Sequence, residues 1–552
     1  MSVTAGAQTE AVVLTTPRRI ALAILSGLLL AAAFPSASQG WAAWIGLVPL
    51  LVAMRGLRPW RAAALAWITG FLWQVSTIYW IPATISNFTR ISPLIAKSLL
   101  LMLAAFSAYP FVILAFACEW AAAAGLSRLV VAPLVWPFAE WLRVVVIAGF
   151  PWNPLGNSQI VYPVMAQAAD IGSVYLLSSI LVLANAAIAE AVARRGAVPR
   201  EGKGKGAAAS PAARAVAIAA ACPLFLFAYG TWRLHELSST AYTGAVRIGI
   251  VQGNIAQDQK WNATLRDHIL TTYLDLTGKA ASDGAQLVVW PEAALPFYIQ
   301  RDMHSLELTK IARERHIDLL VGAPGIEEHE GKPPTPYNQA WLVRNDGSLE
   351  GPYDKIQLVP FGEYIPLYGL FGMVDIAVQA VGQLGQGQDL TVFESVDLSA
   401  PPQSQAGAAP TEDGHPRQAR FSTLICYEGI FPSLTRQFAA QGLDFLVNIS
   451  NDAWYGDTSA PHQHLAMAAM RAIENRLPMV RSTNTGISAF IDDTGRVGGT
   501  TPLFQQAYEV ETVKTRQVWS FYRIYGDVFL YLCQAATLAI VFVTVRRRRA
   551  AA

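Results

Sequence analysis

FSTLICYEGIFPSLTRQFAAQGLDFLVNISNDAWYG, residues 421–456, decides the fold of the polar part of this chain. It opens on a continuous apolar run, FSTLIC, of the kind that fills a buried strand, and the run stops at Cys426. CYEG makes a turn, residues 430–441 read as a helix, and a second apolar run, DFLVNIS, ends in the polar cluster Asn448, Ser450, Asn451 and Asp452. Strand, sharp turn and helix present a side chain at the carboxyl edge of a sheet, where open α/β sheets place their sites. A thiol is a strong nucleophile only as thiolate, so it needs a base or a cation beside it. Taken alone, Cys426 reads as a small core residue at a strand end, the commonest setting for a free cysteine. The rest of the chain has to supply its partners.

The same pattern extends outward through residues 236–523. Strands are expected at 246–253 (VRIGIVQG), at 286–292 (QLVVWPE, closing on Glu292) and at 318–324, with helices at 264–282 and 306–315. Residues 339–355 read as a hairpin turning on Asn345, Asp346 and Gly347 and leading to Lys355. A strand at 444–449, a helix at 461–476 and two strands within 478–491 complete a layered α/β arrangement. Residues 395–419 and 196–211 read as solvated loops without chemistry. GQLGQGQ at 382–388 has neither the spacing nor the preceding strand of a phosphate-binding loop. No clustered Cys/His pattern points to a metal, and His462 and His464 read as cap and surface residues.

Composition places the remainder in lipid. Of 552 residues, 53% are hydrophobic and only 14% charged, against about 25% charged in a soluble domain. The net charge of +2 gives no reason to expect nucleic acid. Apolar runs lie at 20–34, 41–55, 62–82, 93–120, 129–148, 166–193, 212–230 and 526–545. Read as eight spans, they put Arg55, Arg58, Arg61, Arg128, the 194–214 basic cluster and Arg546 to Arg549 on one side, leaving only Arg90 opposite. By the positive-inside rule both termini are then cytoplasmic and 236–523 lies outside. The expected organisation is a seven-helix membrane part (1–235), an external catalytic part (236–523) and a last span with a basic tail (524–552).

Glu292 closes VVWPE, Lys355 sits in YDKIQLVPFGEY and Cys426 closes STLIC, and together they are a base, a cation and a nucleophile for acyl transfer by a thiol. WPE, the YDK…PFGE segment and CYE resemble the Glu–Lys–Cys triad of the nitrilase superfamily. The blocks VQGNIAQDQKW, VVWPEAALP, YDKIQLVPFGEYIP, ICYEGIFP and NISNDAWYG, set between seven apolar runs and a last one, resemble the narrower apolipoprotein N-acyltransferase family. The resemblance implies a nitrilase-like α/β sandwich beside a polytopic helical domain in a bacterial inner membrane, facing the periplasm. It implies Glu292 as general base, Cys426 as the residue that becomes a thioester, and Lys355 as the oxyanion's partner. It also implies Glu363 as a second carboxylate orienting Lys355, Tyr427 and Glu428 as elbow residues that shape the pocket, and Trp261 at the site entrance. No cofactor is implied. The donor would be a phospholipid reached sideways from the bilayer past loops 83–92 and 149–160, and the acceptor the amine of an apolipoprotein's diacylglyceryl-cysteine. A membrane-tethered amidase would use the same triad on soluble amides. A transporter or scaffold would lack a use for it and would carry paired half-repeats, which the sequence does not.

Overall fold

The computed structural model describes residues 14–88, 91–146, 149–195, 210–364, 383–398 and 417–551. Its polar half is two six-stranded sheets. The first holds β1 (Gly244–Gln252), β2 (Leu287–Val289), β3 (Asp318–His329), β4 (Lys332–Val343), β5 (Leu349–Asp354) and β12 (Ala507–Thr515), in the order β12-β1-β2-β3-β4-β5. The second holds β6 (Phe393–Asp397), β7 (Gln418–Ile425), β8 (Phe445–Ser450), β9 (Met479–Thr483), β10 (Ala489–Ile491) and β11 (Val497–Gly498), in the order β11-β10-β9-β8-β7-β6. β1, β2 and β3 run parallel, as do β7, β8 and β9.

Period-two alternation sorts the side chains between layers. Val246, Ile248 and Ile250 of β1 join Phe421, Phe445 and Val447 in the core between the sheets. Val251, Val288, Leu319 and Val321 face the other way, onto the helices Arg266–Ser282 and Ser305–Arg315. The helices Pro432–Ala439 and Ala460–Asn475 cover the second sheet, giving a helix–sheet–sheet–helix sandwich.

Two local expectations change. Residues 395–397 and 418–419 belong to the antiparallel pair β6 and β7, with the Phe393 and Phe421 rings 5.6 Å apart; residues 399–416 lie outside the described residues, as do 196–209 of the other expected loop. The hairpin also has a longer first arm. β4 begins at Lys332; Pro333 and Pro334 fall in an irregular stretch of its pairing with β3, and Pro336 pairs with Ile326. β5 pairs with β4 only from Gln339 onward, so those prolines lie on an edge where no ladder partner needs their missing N–H.

On length and apolarity alone the helical half bears out about four of the eight expected spans. Among the described residues four helices are long and apolar enough to cross a membrane: Pro93–Ala122, Ala169–Arg194, Pro211–Ser239 and Val528–Ala551. Pro59–Thr77 and Ile81–Asn87, bent by 49° at their junction, make a fifth if they act as one span. The helices on the other three apolar runs are shorter than these four, and one of them carries charge while another is broken. Thr16–Ala32 has 17 residues, and Arg128–Val145 carries Pro133, Pro137, Glu140 and Arg143 within it. Gly40–Met54 breaks into a 3₁₀ turn and a seven-residue helix. At 1.5 Å per residue, even an unbroken helix of that length reaches only about 22 Å, short of a hydrocarbon core of about 30 Å. Hydropathy marks an apolar run but not where its helix stops.

The halves are joined by buried polar contacts. Gln463 accepts from the indole N–H groups of Trp80 (3.3 Å) and Trp152 (2.6 Å) and donates to the carbonyls of Pro35 and Thr77. Asp170 accepts from Arg233, Arg476 and the Tyr229 hydroxyl; both arginines and the aspartate are at most 2% exposed. Replacing Gln463 by leucine strands two buried indole donors. We expect a loss of about 1–3 kcal/mol for each, read as a lower thermal midpoint of the detergent-solubilised chain.

Candidate active site

The two sheets bring the carboxyl ends of β2, β5, β7 and β8 to one edge. β3, β4 and β5 alternate in direction, so β5 ends on the same side as β2. Glu292 follows β2, Lys355 follows β5, Cys426 follows β7 and Asn451 follows β8. Gly322 on β3 makes room for the first of these. A Cβ there would lie 2.3 Å from the Pro291 carbonyl oxygen and 2.8 Å from Glu292 Cα.

Glu292 is 6% exposed and all its carboxylate bonds come from fixed donors. Oε1 accepts from Asn338 Nδ2 (2.7 Å) and Lys355 Nζ (3.3 Å), and Oε2 from the Asn451 backbone N–H (2.8 Å). Lys355, 1% exposed, also donates to Glu363 Oε1 at 2.7 Å, and Glu363 Oε2 is held by the Val359 N–H. Burial opposes the Lys355 charge, but Glu363 and Glu292 outweigh it and hold the ammonium well above the usual lysine value. Lys355 therefore stays protonated, a fixed cation between two carboxylates.

Cys426 opens the 3₁₀ turn Cys426–Ile430 with φ of 52°, a left-handed backbone that costs a non-glycine residue about 1–2 kcal/mol. Strain of this kind persists where the surroundings over-determine it. Here the Cys426 carbonyl accepts from His464 Nε2 (3.1 Å) and Asn448 Nδ2 (3.4 Å). Burial pushes the thiol well up from its ordinary value, Glu292 adds to the rise, and Lys355 opposes it. The resting group is a thiol, and an adjacent base has to remove its proton.

The predicted supporting residues fall into different places. Glu363 touches Lys355, as expected. Glu428 clasps the elbow to the Lys355 segment, accepting from the N–H groups of Ile425, Ile356 and Gln357 and from the Tyr353 hydroxyl. Tyr427 turns toward the membrane half and donates to the Gly149 carbonyl at 2.8 Å. Trp261 is 55% exposed, on the loop that carries the buried Lys260.

Sequence reading missed four partners. Asn338, Asn451 and Lys260 touch Glu292, and His464 is not a surface residue: it is fully buried, between Asp452 and the Cys426 carbonyl. Arg481 joins the same cluster through Asp452. His462 is exposed, as expected. Among the described residues no group of three or more His, Cys, Asp or Glu side chains is placed to hold a metal ion.

Glu428 gives a pH prediction. Burial raises its carboxyl from 4.5 to about 7, against the pull of the Gln357 and Ile425 N–H groups, Lys355 and Tyr353. A raised carboxyl binds its proton more tightly in the folded state, so its contribution to stability is fully present below about 4.5 and is lost as pH rises to about 7. Glu428→Gln should flatten that window. It should also cost about 1–3 kcal/mol, because an amide cannot accept from all four donors on both ends. Thermal midpoints of the two proteins across pH 4.5–7 check both statements.

The sandwich and a Glu–Lys–Cys edge define the chain's polar half as a carbon–nitrogen hydrolase domain, and the carbon–nitrogen hydrolase family model matches residues 247–515. A model described as the apolipoprotein N-acyltransferase N-terminal domain matches residues 26–187. The apolipoprotein N-acyltransferase of Geobacter metallireducens is 35% identical over 536 residues, covering 96% of each chain. That of Rhizobium rhizogenes is 32% identical over 503 residues, 87% of each. An amidase from Nesterenkonia sp. aligns with 53% of this chain and 95% of its own at 21% identity, with a TM-score of 0.35. The chain belongs to the apolipoprotein N-acyltransferase family, a family of acyltransferase enzymes.

Proposed function

We propose that this chain moves a fatty acyl group from a phospholipid to the N-terminal amine of an S-diacylglyceryl-cysteine on an apolipoprotein, by way of a thioester on Cys426. The observation that carries this reading is the Glu292–Lys355–Cys426 edge built directly beneath the membrane half. In the first half-reaction Glu292 takes the Cys426 proton and the thiolate attacks the ester carbonyl. The oxyanion forms against the Lys355 ammonium. The C–O bond then breaks, and the alkoxide of the departing lysophospholipid takes the proton from Glu292. In the second, the amine attacks the thioester and gives its proton to Glu292. The new C–N bond forms as the C–S bond breaks, and Cys426 recovers a proton. An α-amine with pKa near 8 has a free fraction at neutral pH. One thioester serving both halves gives ping-pong kinetics.

Topology fits a lipid donor. In this reading 1–235 and 524–552 form the membrane part, 236–523 is the catalytic part on the periplasmic side, and both termini are cytoplasmic. All eight apolar segments enter the bilayer. Gly40–Met54, the shortest, relies on local thinning and on Trp41 and Arg55 at its ends. Trp152 is buried rather than lining an open path; with Trp80 and Tyr455 it packs an aromatic wall against His464, beside the elbow. Residues 89–90 and 147–148 of the flanking loops lie outside the described residues.

The deciding experiment is intact-mass spectrometry of the purified chain mixed with phospholipid and chased with a diacylglyceryl-cysteine peptide. An acyl mass that leaves the protein as an amide on the peptide is the expected result. Release to water alone would make the chain a lipid hydrolase. No adduct, with turnover of soluble amides, would favour the tethered amidase.

A further inference from the structure

A second lysine is buried in the site. Lys260 is 1% exposed and its Nζ donates to the Glu292 main-chain carbonyl at 3.0 Å. Among the described residues this is its one hydrogen-bond acceptor, although an ammonium has three donors. The loop that carries it is itself tied to the site: Gln257 Oε1 accepts from Asn451 Nδ2, and the Asn451 N–H is the one that holds Glu292 Oε2. The loop therefore grips Glu292 twice, through its carboxylate by way of Asn451 and through its main chain by way of Lys260. Charge supplies the second argument. Glu292 and Glu363 share one cation, Lys355, so these three groups carry a net negative charge in a buried space. Such a space resists a thiolate.

We propose that Lys260 is a positioning residue of the acyl-transfer site: it fixes the Glu292 main chain and supplies the second positive charge that lets Cys426 ionise beside two carboxylates. The proposal rests on the acyl-transfer reading for its purpose but not for its test. Lys260 faces Glu292 and Cys426, and burial draws its ammonium down to about 8 against their pull. The ionisable groups that face Cys426 are Glu292, Lys355 and Asp452, with Tyr427 and Tyr455 on the elbow and the following turn, and Lys260 itself. His464 meets the Cys426 main-chain carbonyl and, with Arg481, bonds Asp452. Of these only Lys260 and Lys355 are cations with no other carboxylate to serve outside the pair Glu292 and Glu363.

The test is the rate of Cys426 alkylation by iodoacetamide against pH, read by mass spectrometry on the peptide that holds Cys426, in full-length detergent-solubilised protein. Wild type is compared with Lys260→Gln, Lys260→Met and Lys260→Arg, each checked for an unchanged monodisperse peak. Gln keeps an N–H donor for the Glu292 carbonyl without the charge, so it separates the charge from the bond. Gln and Met should both make alkylation roughly tenfold slower at neutral pH, where the wild-type ammonium is charged, and the difference should shrink as pH rises past about 8. Arg should restore most of the rate. A Gln variant that follows the wild-type curve would overturn the proposal, as would an Arg variant as slow as Met. Iodoacetamide needs no lipid. Absence of lipid acylation in the wild type, with the Lys260-dependent alkylation shift intact, would therefore count against the acyl-transfer reading and leave the role of Lys260 standing.

Discussion

Cys426→Ala should abolish acyl transfer while leaving the protein folded. The expected fall in turnover is about 10⁴-fold or more, because no neighbouring side chain can take over as nucleophile. The groups that would remain at this edge are acceptors or fixed donors: Glu292 is bonded at both oxygens, and Lys355 is a locked cation. Folding should survive for an equally local reason. Hydrogen bonds to the position 426 main chain come through its carbonyl, from His464 and Asn448, and alanine keeps that carbonyl. The backbone at φ 52° is as strained for alanine as for cysteine. Mass spectrometry should find no acyl adduct on the variant, and its thermal midpoint should lie close to that of wild type. Cys426→Ser is expected to be nearly as inactive, since a buried hydroxyl is far harder to ionise than a thiol.

Lys355→Met should fail twice, in stability and in rate. The lysine is the shared partner of Glu292 and Glu363, both of which also lean on Asn338 Nδ2. Removing the cation leaves two carboxylates facing one another in a buried space, at a cost of about 3–5 kcal/mol. One carboxylate then takes up a proton, and whichever does so is lost as an acceptor. In the proposed mechanism Lys355 also faces the oxyanion, and its loss there should subtract a further factor of about 10²–10³ in rate. A second substitution separates the two losses. Adding Glu363→Gln to Lys355→Met removes one of the facing charges, so the thermal midpoint should recover while transfer stays lost. Recovery of transfer along with stability would mean that Lys355 acts only as a structural counter-ion. Lys355→Arg should not restore full rate either, since a guanidinium presents a planar fork where the site holds a single point charge.

These expectations draw on residues of unequal visibility in the sequence. Cys426 is legible because a continuous apolar strand ends on it and a turn follows, a pattern confined to a few neighbouring positions. Glu292 is legible for the same reason, although β2 itself stops at Val289. Lys355 and Glu363 become legible only through the family blocks that surround them. Asn451 stands out only as part of a polar cluster at a strand end, and its contact with Glu292, like those of Asn338 and Lys260, is set by tertiary folding, across 159, 46 and 32 positions of chain. His464 misleads for a related reason. Its helix is buried on nearly every face, so the second histidine of an HQH run that would be a surface cap on an amphipathic helix is packed against Cys426 instead. In the helical half, apolar composition reveals which segments avoid water. It does not reveal the 49° bend after Thr77 or the break after Trp44, since neither changes hydropathy.

The aspartate shared by two arginines at the junction bears on how this chain can be recombined. Asp170 and Arg233 come from the helical half and Arg476 from the end of the helix that covers the second sheet. A chimera that joined these sheets to a foreign helical half without a carboxylate at position 170 would leave Arg476 as a buried charge with no counter-ion, even if every residue around Cys426 were kept. Homologous exchange across the junction would thus be selected against unless the three residues travelled together. They should persist or change as a set, and a library of such hybrids sorted for expression should be enriched in the intact trio.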